Sequence, residues 1–416
     1  MKKHSHKAAA ALALTALLGL TACSSDGGGS QDSISLWLPT LASDDTVIEE
    51  EAWAEILAPF EAEHDVKVNV TITPWSNYEE KYLTGISSGA GPDVGYMYNE
   101  MMGDYIDQGA IVPFDEYLTA DALPDHNYLE QGQVDGQQYA LPFVVGGARI
   151  IYVNQDILDE AGVTELPETW DDYLAASAQI AAAGFTPTAQ PWGASDRGML
   201  AESFIPLLWQ AGGELFTEDG SATAFNSPEG IEAATFIKTL LDEGYMASNV
   251  SGLNADETRQ QFLNGDVAFY LDSESWKGEV DAAGINVSVI DSLMNVEQGT
   301  FIATDSLVLM DACDDKQLCT DLVTFIESGP QMEQFHKWAD YPPIGSDETV
   351  ESDNELISLY TEGAEILRPF PVVTGSSAVY NSLYQNLQQM VLGQKTPEQA
   401  LSDAAKDGDA ALNSAG

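Results

Sequence analysis

The chain has 416 residues, 44% of them hydrophobic, which exceeds the needs of one small core and suits two domains. Its 67 acids face 15 bases, giving a net charge of −52. Such a surface lacks the clustered Lys and Arg that phosphates require, so nucleic acid, anionic lipid headgroups and phosphorylated solutes are poor partners. A neutral or cationic solute fits better. The acids are spread along the whole chain and serve first to keep it soluble.

Lys2, Lys3 and Lys7 form a basic start, followed by an apolar run from Ala8 to Leu20. That run is shorter than the ~20 residues a membrane-spanning helix needs, so residues 1–22 read as a signal peptide. Leu20-Thr21-Ala22-Cys23 resembles the bacterial lipobox. The resemblance implies that Cys23 carries diacylglycerol and that its new amine is acylated, which would anchor the chain stably. Residues 23–33 hold three consecutive glycines and no apolar anchor, and read as a flexible tether reaching roughly 15–20 Å.

Ile34 to Leu38 alternates and ends at Pro39, a short strand. Ile48, Ala52, Trp53, Ile56, Leu57 and Phe60 recur at helical spacing. Val66, Val68, Val70 and Ile72 alternate with polar residues, a half-buried strand. Asn77 to Ser88 reads as a helix, broken by Gly91-Pro92-Asp93, and Val94 to Met97 is a third strand. This β-α-β-α-β order predicts an α/β fold with a largely parallel sheet. Ligands of such sheets lie beyond the carboxyl ends of the strands, here after Leu38, Ile72 and Met97.

Further along, Gly136 to Pro142 is a turn entering a strand, and Arg149 to Val153 a second strand. Thr169 caps a helix with Asp172 three residues on, and Ser227-Pro228-Glu229 opens another whose stripe is Ala233, Phe236, Ile237, Leu240 and Leu241. Gly265 to Leu271 is a strand, and Thr396-Pro397-Glu398 opens the last helix. Cys313 and Cys319 flank a polar turn, and a disulfide is expected in the oxidising medium beyond the membrane. Two Cys without an adjacent His do not complete a zinc site; the alternative is a free pair. His64, His126 and His336 are isolated, and neither a metal nor a cofactor is expected.

The order of these pieces resembles the extracellular solute-binding proteins of ATP-driven (ABC) sugar importers, distantly including maltose-binding protein. The likeness rests on strand 34–38, Pro74 to Lys81, Gly89-Ala-Gly-Pro-Asp-Val94, Gly109 to Phe114 and Tyr139-Ala-Leu-Pro142. It continues through Ile151 to Asn154, Ala211-Gly-Gly213, Phe262-Leu-Asn-Gly265 and Gly393 to Leu401. The resemblance implies a two-lobed, periplasmic-binding-protein-like fold of type II with an inter-lobe ligand cleft. Lobe one would hold 34–144 plus 300–345, and lobe two 148–298 plus 352–416. Crossings would fall near Phe143–Gly147, Asp291–Phe301 and Pro342–Asp353. The implied partners are a sugar or oligosaccharide and ABC permease subunits, and the implied state is a monomer at the extracellular face of the membrane.

A pyranose offers a ring of hydroxyls and a C–H face, so carboxylates, amides and stiff aromatic rings are the groups to seek. Asn99 and Glu100 follow the third strand, where the family supplies an acid; Thr40 follows the first and Trp75 the second. In the second lobe the resemblance points to Trp276 and Tyr380 as stacking rings, and to Trp192 and Glu202 as further contacts. Trp209 reads as core. Where maltose-binding protein has a cleft glutamate, this chain has Gly146 and Gly147, so its ligand geometry differs. Arg149 and Arg368 read as partners of structural ion pairs, the alternative being that each holds the ligand. The alternatives are a receptor for a non-sugar solute and a secreted glycoside hydrolase. No H-E-x-x-H or P-loop motif is present.

Overall fold

The computed structural model describes residues 33–42, 46–118, 125–193, 197–348 and 355–415. The leader, Cys23 and residues 24–32 of the tether lie outside the described residues. The strands are β1 (Ser33–Pro39), β2 (Lys67–Thr73), β3 (Val94–Tyr98), β4 (Gln133–Val134), β5 (Gln137–Gln138), β6 (Ala140–Gly146) and β7 (Arg149–Asn154). They continue with β8 (Thr186–Ala189), β9 (Val267–Ser273), β10 (Val287–Ile290), β11 (Thr300–Phe301), β12 (Ala303–Leu309) and β13 (Leu367–Arg368).

Alternation in β1 buries Ile34, Leu36 and Leu38 while Ser35 and Trp37 stay partly exposed. β2 and β3 flank β1 in parallel, as the β-α-β-α-β order requires. The first sheet is nevertheless mixed. Its order is β2-β1-β3-β12-β6, and β12 runs antiparallel to both β3 and β6. β12 comes from far along the chain, so local pattern could not reveal its direction. The second sheet is β10-β7-β9-β8, in which only β8 and β9 are parallel.

Each sheet has its own core. The first gathers Trp53, Phe60, Tyr82, Tyr96, Phe143, Leu307 and Phe335. The second gathers Trp170, Trp192, Phe204, Trp209, Phe269, Leu387 and Leu401, the last two from the C-terminal helices Ser376–Val391 and Pro397–Ala415. The helix Trp75–Ser88 starts two residues before the pattern suggested, because Pro74 closes β2 and Trp75 turns at once onto its first turn. The helix Trp170–Ala183 carries the capping box read from Thr169 and Asp172, and Ser227 caps the helix Pro228–Asp242. Cys313 and Cys319 are disulfide-bonded at the start of the helix Lys316–Ile326.

The chain crosses from the first sheet to the second at Gly147, whose φ of 68° is left-handed and favours glycine. It returns at Ile302, between β11 and β12, and β11 pairs in parallel with β13. The expected third crossing falls in part on residues 349–354, which lie outside the described residues. Among the described residues, no helix is long and apolar enough to cross a membrane.

Candidate functional site

A cleft of about 1200 Å³ opens between the two sheets. The first sheet contributes Thr40 after β1, Trp75 after β2, Asp305 on β12 and the segment His336–Tyr341. The second contributes Ser273 to Trp276 at the end of β9, with Lys277 beyond. Its walls are thus largely built at strand ends, where α/β sheets place ligands.

Trp75 is 44% exposed and rests on a bed of tyrosines, with ring centroids 5.7 Å from Tyr78 and 5.9 Å from Tyr96. Across the cleft, Trp276 is 37% exposed, and the Arg259 guanidinium carbon lies 3.4 Å from its centroid. Two rings from 336–341 join them. Trp338 meets Trp53 edge-on at 5.6 Å, and Tyr341 stacks on Phe335 at 6.0 Å. Gly146 is open for a reason: a Cβ there would stand 3.3 Å from the Tyr341 ring.

Carboxyls are interleaved with the rings. The Tyr96 hydroxyl donates to Asp305 Oδ2 at 2.5 Å, while Asp305 Oδ1 is buried without a partner. Burial pushes the Asp305 carboxyl up to about 7. Glu274 is buried too, accepts from the Tyr360 hydroxyl at 2.6 Å, and is raised by burial above the ordinary carboxylate range. Glu100, in the first turn of the helix Asn99–Asp107, is pushed by burial to about 8, with the charges of Asp305 and Glu202 adding to the rise.

The sequence model for bacterial extracellular solute-binding proteins matches residues 42–333. The chain belongs to this family. A galactooligosaccharide-binding protein of Bacillus subtilis (strain 168) is 24% identical over 366 residues, covering 85% of this chain and 84% of that protein. An arabinooligosaccharide-binding protein of Halalkalibacterium halodurans is 24% identical over 375 residues, covering 82% of this chain and 81% of that one. Among solved structures, the cyclic alpha-maltosyl-1,6-maltose binding protein of Arthrobacter globiformis superposes with a TM-score of 0.75 at 20% identity, covering 92% of this chain and all of that one. The fold is therefore the two-lobed one of these binding proteins.

In this solute-binding protein, Thr40, Trp75 and Trp276 line the cleft. Glu100 stands close enough to feel the charge of Asp305, and its carbonyl is within 3.5 Å of the hydroxyls of Ser376 and Ser377. Asn99 is 1% exposed, and its amide donates to Thr304 Oγ1 at 2.6 Å, tying the helix to β12 rather than facing the cleft. Glu202 is engaged by Arg149, whose Nε donates to it at 2.6 Å. Tyr380 is half-buried, stacked on Phe370 at 5.3 Å and within reach of the charge of Glu100.

Trp192 is placed differently from the sequence expectation. It is 1% exposed within the second core, and its ring N–H donates to Ser203 Oγ at 3.1 Å. The apolar surroundings of helix Arg197–Gln210 draw it inward, beside a small cavity of about 80 Å³. Trp209 is core, as read, with Arg368 4.7 Å above its ring; Arg368 is itself paired with Glu214 at 2.7 Å. Sequence reasoning missed Asp305, Glu274, Trp338 and Tyr341. For Asp305 a signal existed: an acid stands two residues before the apolar run Leu307 to Met310, and burying it there is costly without a partner.

Proposed function

We propose that this solute-binding protein captures an oligosaccharide between its lobes and passes it to an ATP-driven importer in the membrane. The observation that carries the reading is the pair of half-exposed indoles, Trp75 and Trp276, on opposite walls of one cleft whose remaining lining mixes carboxyls with further rings. Rings cover the C–H faces of pyranoses at low entropic cost, and carboxyls take their hydroxyls. The oligosaccharides named for the two relatives point the same way. Thr40, Trp75, Glu100 and Trp276 are the contacts read from sequence that we assign to this role, and Asp305 joins them.

The protein acts without turnover, as a monomer, with lobe one at 34–144 plus 300–345 and lobe two at 148–298 plus 352–416. Lipid on Cys23 holds it at the outer face of the membrane, and the tether lets it reach its permease.

The test is a melting-temperature screen of the purified protein against neutral and substituted oligosaccharides, with chromatography of the recovered ligand. A ligand bound only by the folded state at 100 Kd adds about 2.7 kcal/mol and raises the melting temperature by several degrees. The expected result is stabilisation by at least one oligosaccharide, recovered intact. Fragmented ligand would mark a hydrolase, and no response to any carbohydrate would end the reading. For the anchor, Cys23→Ala is expected to release the protein from membranes into the medium.

A further inference from the structure

We propose that the cleft selects solutes carrying a protonated amine, with Asp305 and Glu100 as the groups that receive it. The inference rests on the carbohydrate reading above and narrows it to oligosaccharides that contain amino sugars.

Asp305 lines the cleft yet is only 8% exposed. One of its oxygens is satisfied by the Tyr96 hydroxyl, and the other has no donor. A buried carboxylate oxygen left unpaired is costly, so this position calls for a donor from outside the chain. Glu100 is the second acid; it lies behind the cleft lining, within range of the Asp305 charge, and among the described residues its side chain has no basic partner. Among the described residues, no Lys, Arg or His forms an ion pair with either group.

The neighbouring bases are already engaged. Arg149 is bound to Glu202 and to the Gly147 carbonyl, and it also feels Asp272 and Glu274. Lys277 reaches Asp281, Lys337 reaches Gln334, and His336 meets Glu348. The charges of Asp305, Glu202 and Glu79 act on Glu100, and Glu100 in turn acts on Tyr380. The charge of Asp305 acts on Glu100 and on the hydroxyls of Tyr96, Tyr78, Tyr98 and Tyr341, and Tyr96 donates to it.

Closing the lobes removes the water that screens these acids. Over a neutral guest, the two carboxyls must then hold protons, because uncompensated buried charge is expensive. An ammonium group supplies the missing charge and displaces those protons. Burial already holds Asp305 at about 7 and Glu100 at about 8, so proton exchange on binding is measurable near neutrality. The net charge of −52 also draws cations toward the cleft.

The experiment compares three sets of oligosaccharides that differ at one substituent: 2-hydroxyl (neutral gluco- and galacto-oligomers), 2-amino and 2-acetamido. Binding to the purified protein is followed by calorimetry at about pH 6.5, where a free amine of ordinary pKa is protonated. Repeating each titration in buffers of different ionisation enthalpy counts protons. The expected result is that amines bind at least about tenfold tighter than their hydroxyl counterparts and release protons. Asp305→Asn and Glu100→Gln are each expected to lose that preference. Should Asp305→Asn not fold, Glu100→Gln and the wild-type proton count decide. Neutral members binding as tightly as amines, or amine binding without proton release, overturns the inference and leaves the carbohydrate reading standing. Binding of none of the three sets overturns both.

Discussion

The guanidinium of Arg259 covers one face of the Trp276 indole at 3.4 Å. Arg259 is only 5% exposed, and is further held by Asp256 at 2.7 Å and Glu279 at 3.8 Å. A desolvated cation–π contact is worth about 2 kcal/mol. The arrangement pins a ring that lines the cleft, so that little is lost in ordering it when a guest arrives.

Trp276→Ala is therefore expected to abolish the ligand-induced rise in melting temperature and to lower the ligand-free melting temperature by no more than the few degrees that loss of this contact costs, because the ring is 37% exposed and belongs to none of the core clusters. A collapse of ligand-free stability would place the ring in the core instead. Arg259→Met keeps the stem and removes the charge; calorimetry is expected to show a ligand Kd several-fold weaker than wild type.

Trp192 should behave in the opposite manner. Fully enclosed and hydrogen-bonded to Ser203, it supports the second core. Trp192→Ala is expected to cost about 3–5 kcal/mol in denaturant unfolding, with the affinity of the surviving folded protein little altered. A large loss of affinity at unchanged stability would return it to the binding surface.

The raised carboxyls fix a direction of pH dependence. Glu100 and Asp305 hold their protons in the fold up to about 8 and 7, well above the 4.5 and 3.8 of unperturbed groups. Between those limits the native state binds more protons than the unfolded chain, so stability falls as pH rises. The contribution is complete below about pH 4 and gone above about pH 8. The ligand-free melting temperature is expected to drop from pH 5 to pH 9, in the same sense as the self-repulsion of the acidic surface. Glu100→Gln isolates the local part: its curve should be flatter than wild type, and an unchanged slope would refute the assignment.

The Cys313–Cys319 bond closes a loop with five residues between its ends, over a turn whose two sulfur-bearing side chains are buried. Loop-closure entropy for so short a loop gives about 2 kcal/mol. The double variant Cys313→Ser, Cys319→Ser, or reduction of the wild type, is expected to lower the urea midpoint accordingly with no effect on ligand affinity, since the loop is remote from the cleft lining.

Reading the sequence located what depends on neighbours in the chain. The parallel trio β1, β2 and β3, the capping box at Thr169, and the cap at Ser227 follow from local periodicity and capping chemistry. Thr40 and Trp75 were also within reach, because ligands lie beyond the strand ends of such sheets, and Trp276 through the family resemblance. Asp305, Trp338 and Tyr341 were not. Asp305 enters the cleft because β12 inserts between the sequence-distant strands β3 and β6, and Trp338 and Tyr341 lie on the segment that follows the helix Gly329–Phe335. Trp192 shows the same limit from the other side: a tryptophan near binding positions has no local signal telling core from cleft.

The sequence alone determined the acidity of the molecule, the strand–helix alternation of its first hundred residues, and the helix caps at Thr169 and Ser227. Those properties arise from side chains acting on their own backbone and on water. Tertiary structure decided which acids lost their water, which ring turned outward, and which base was already taken by a carboxylate. Those outcomes depend on long-range pairing across two sheets, where burial and charge are set by residues that no local pattern brings together.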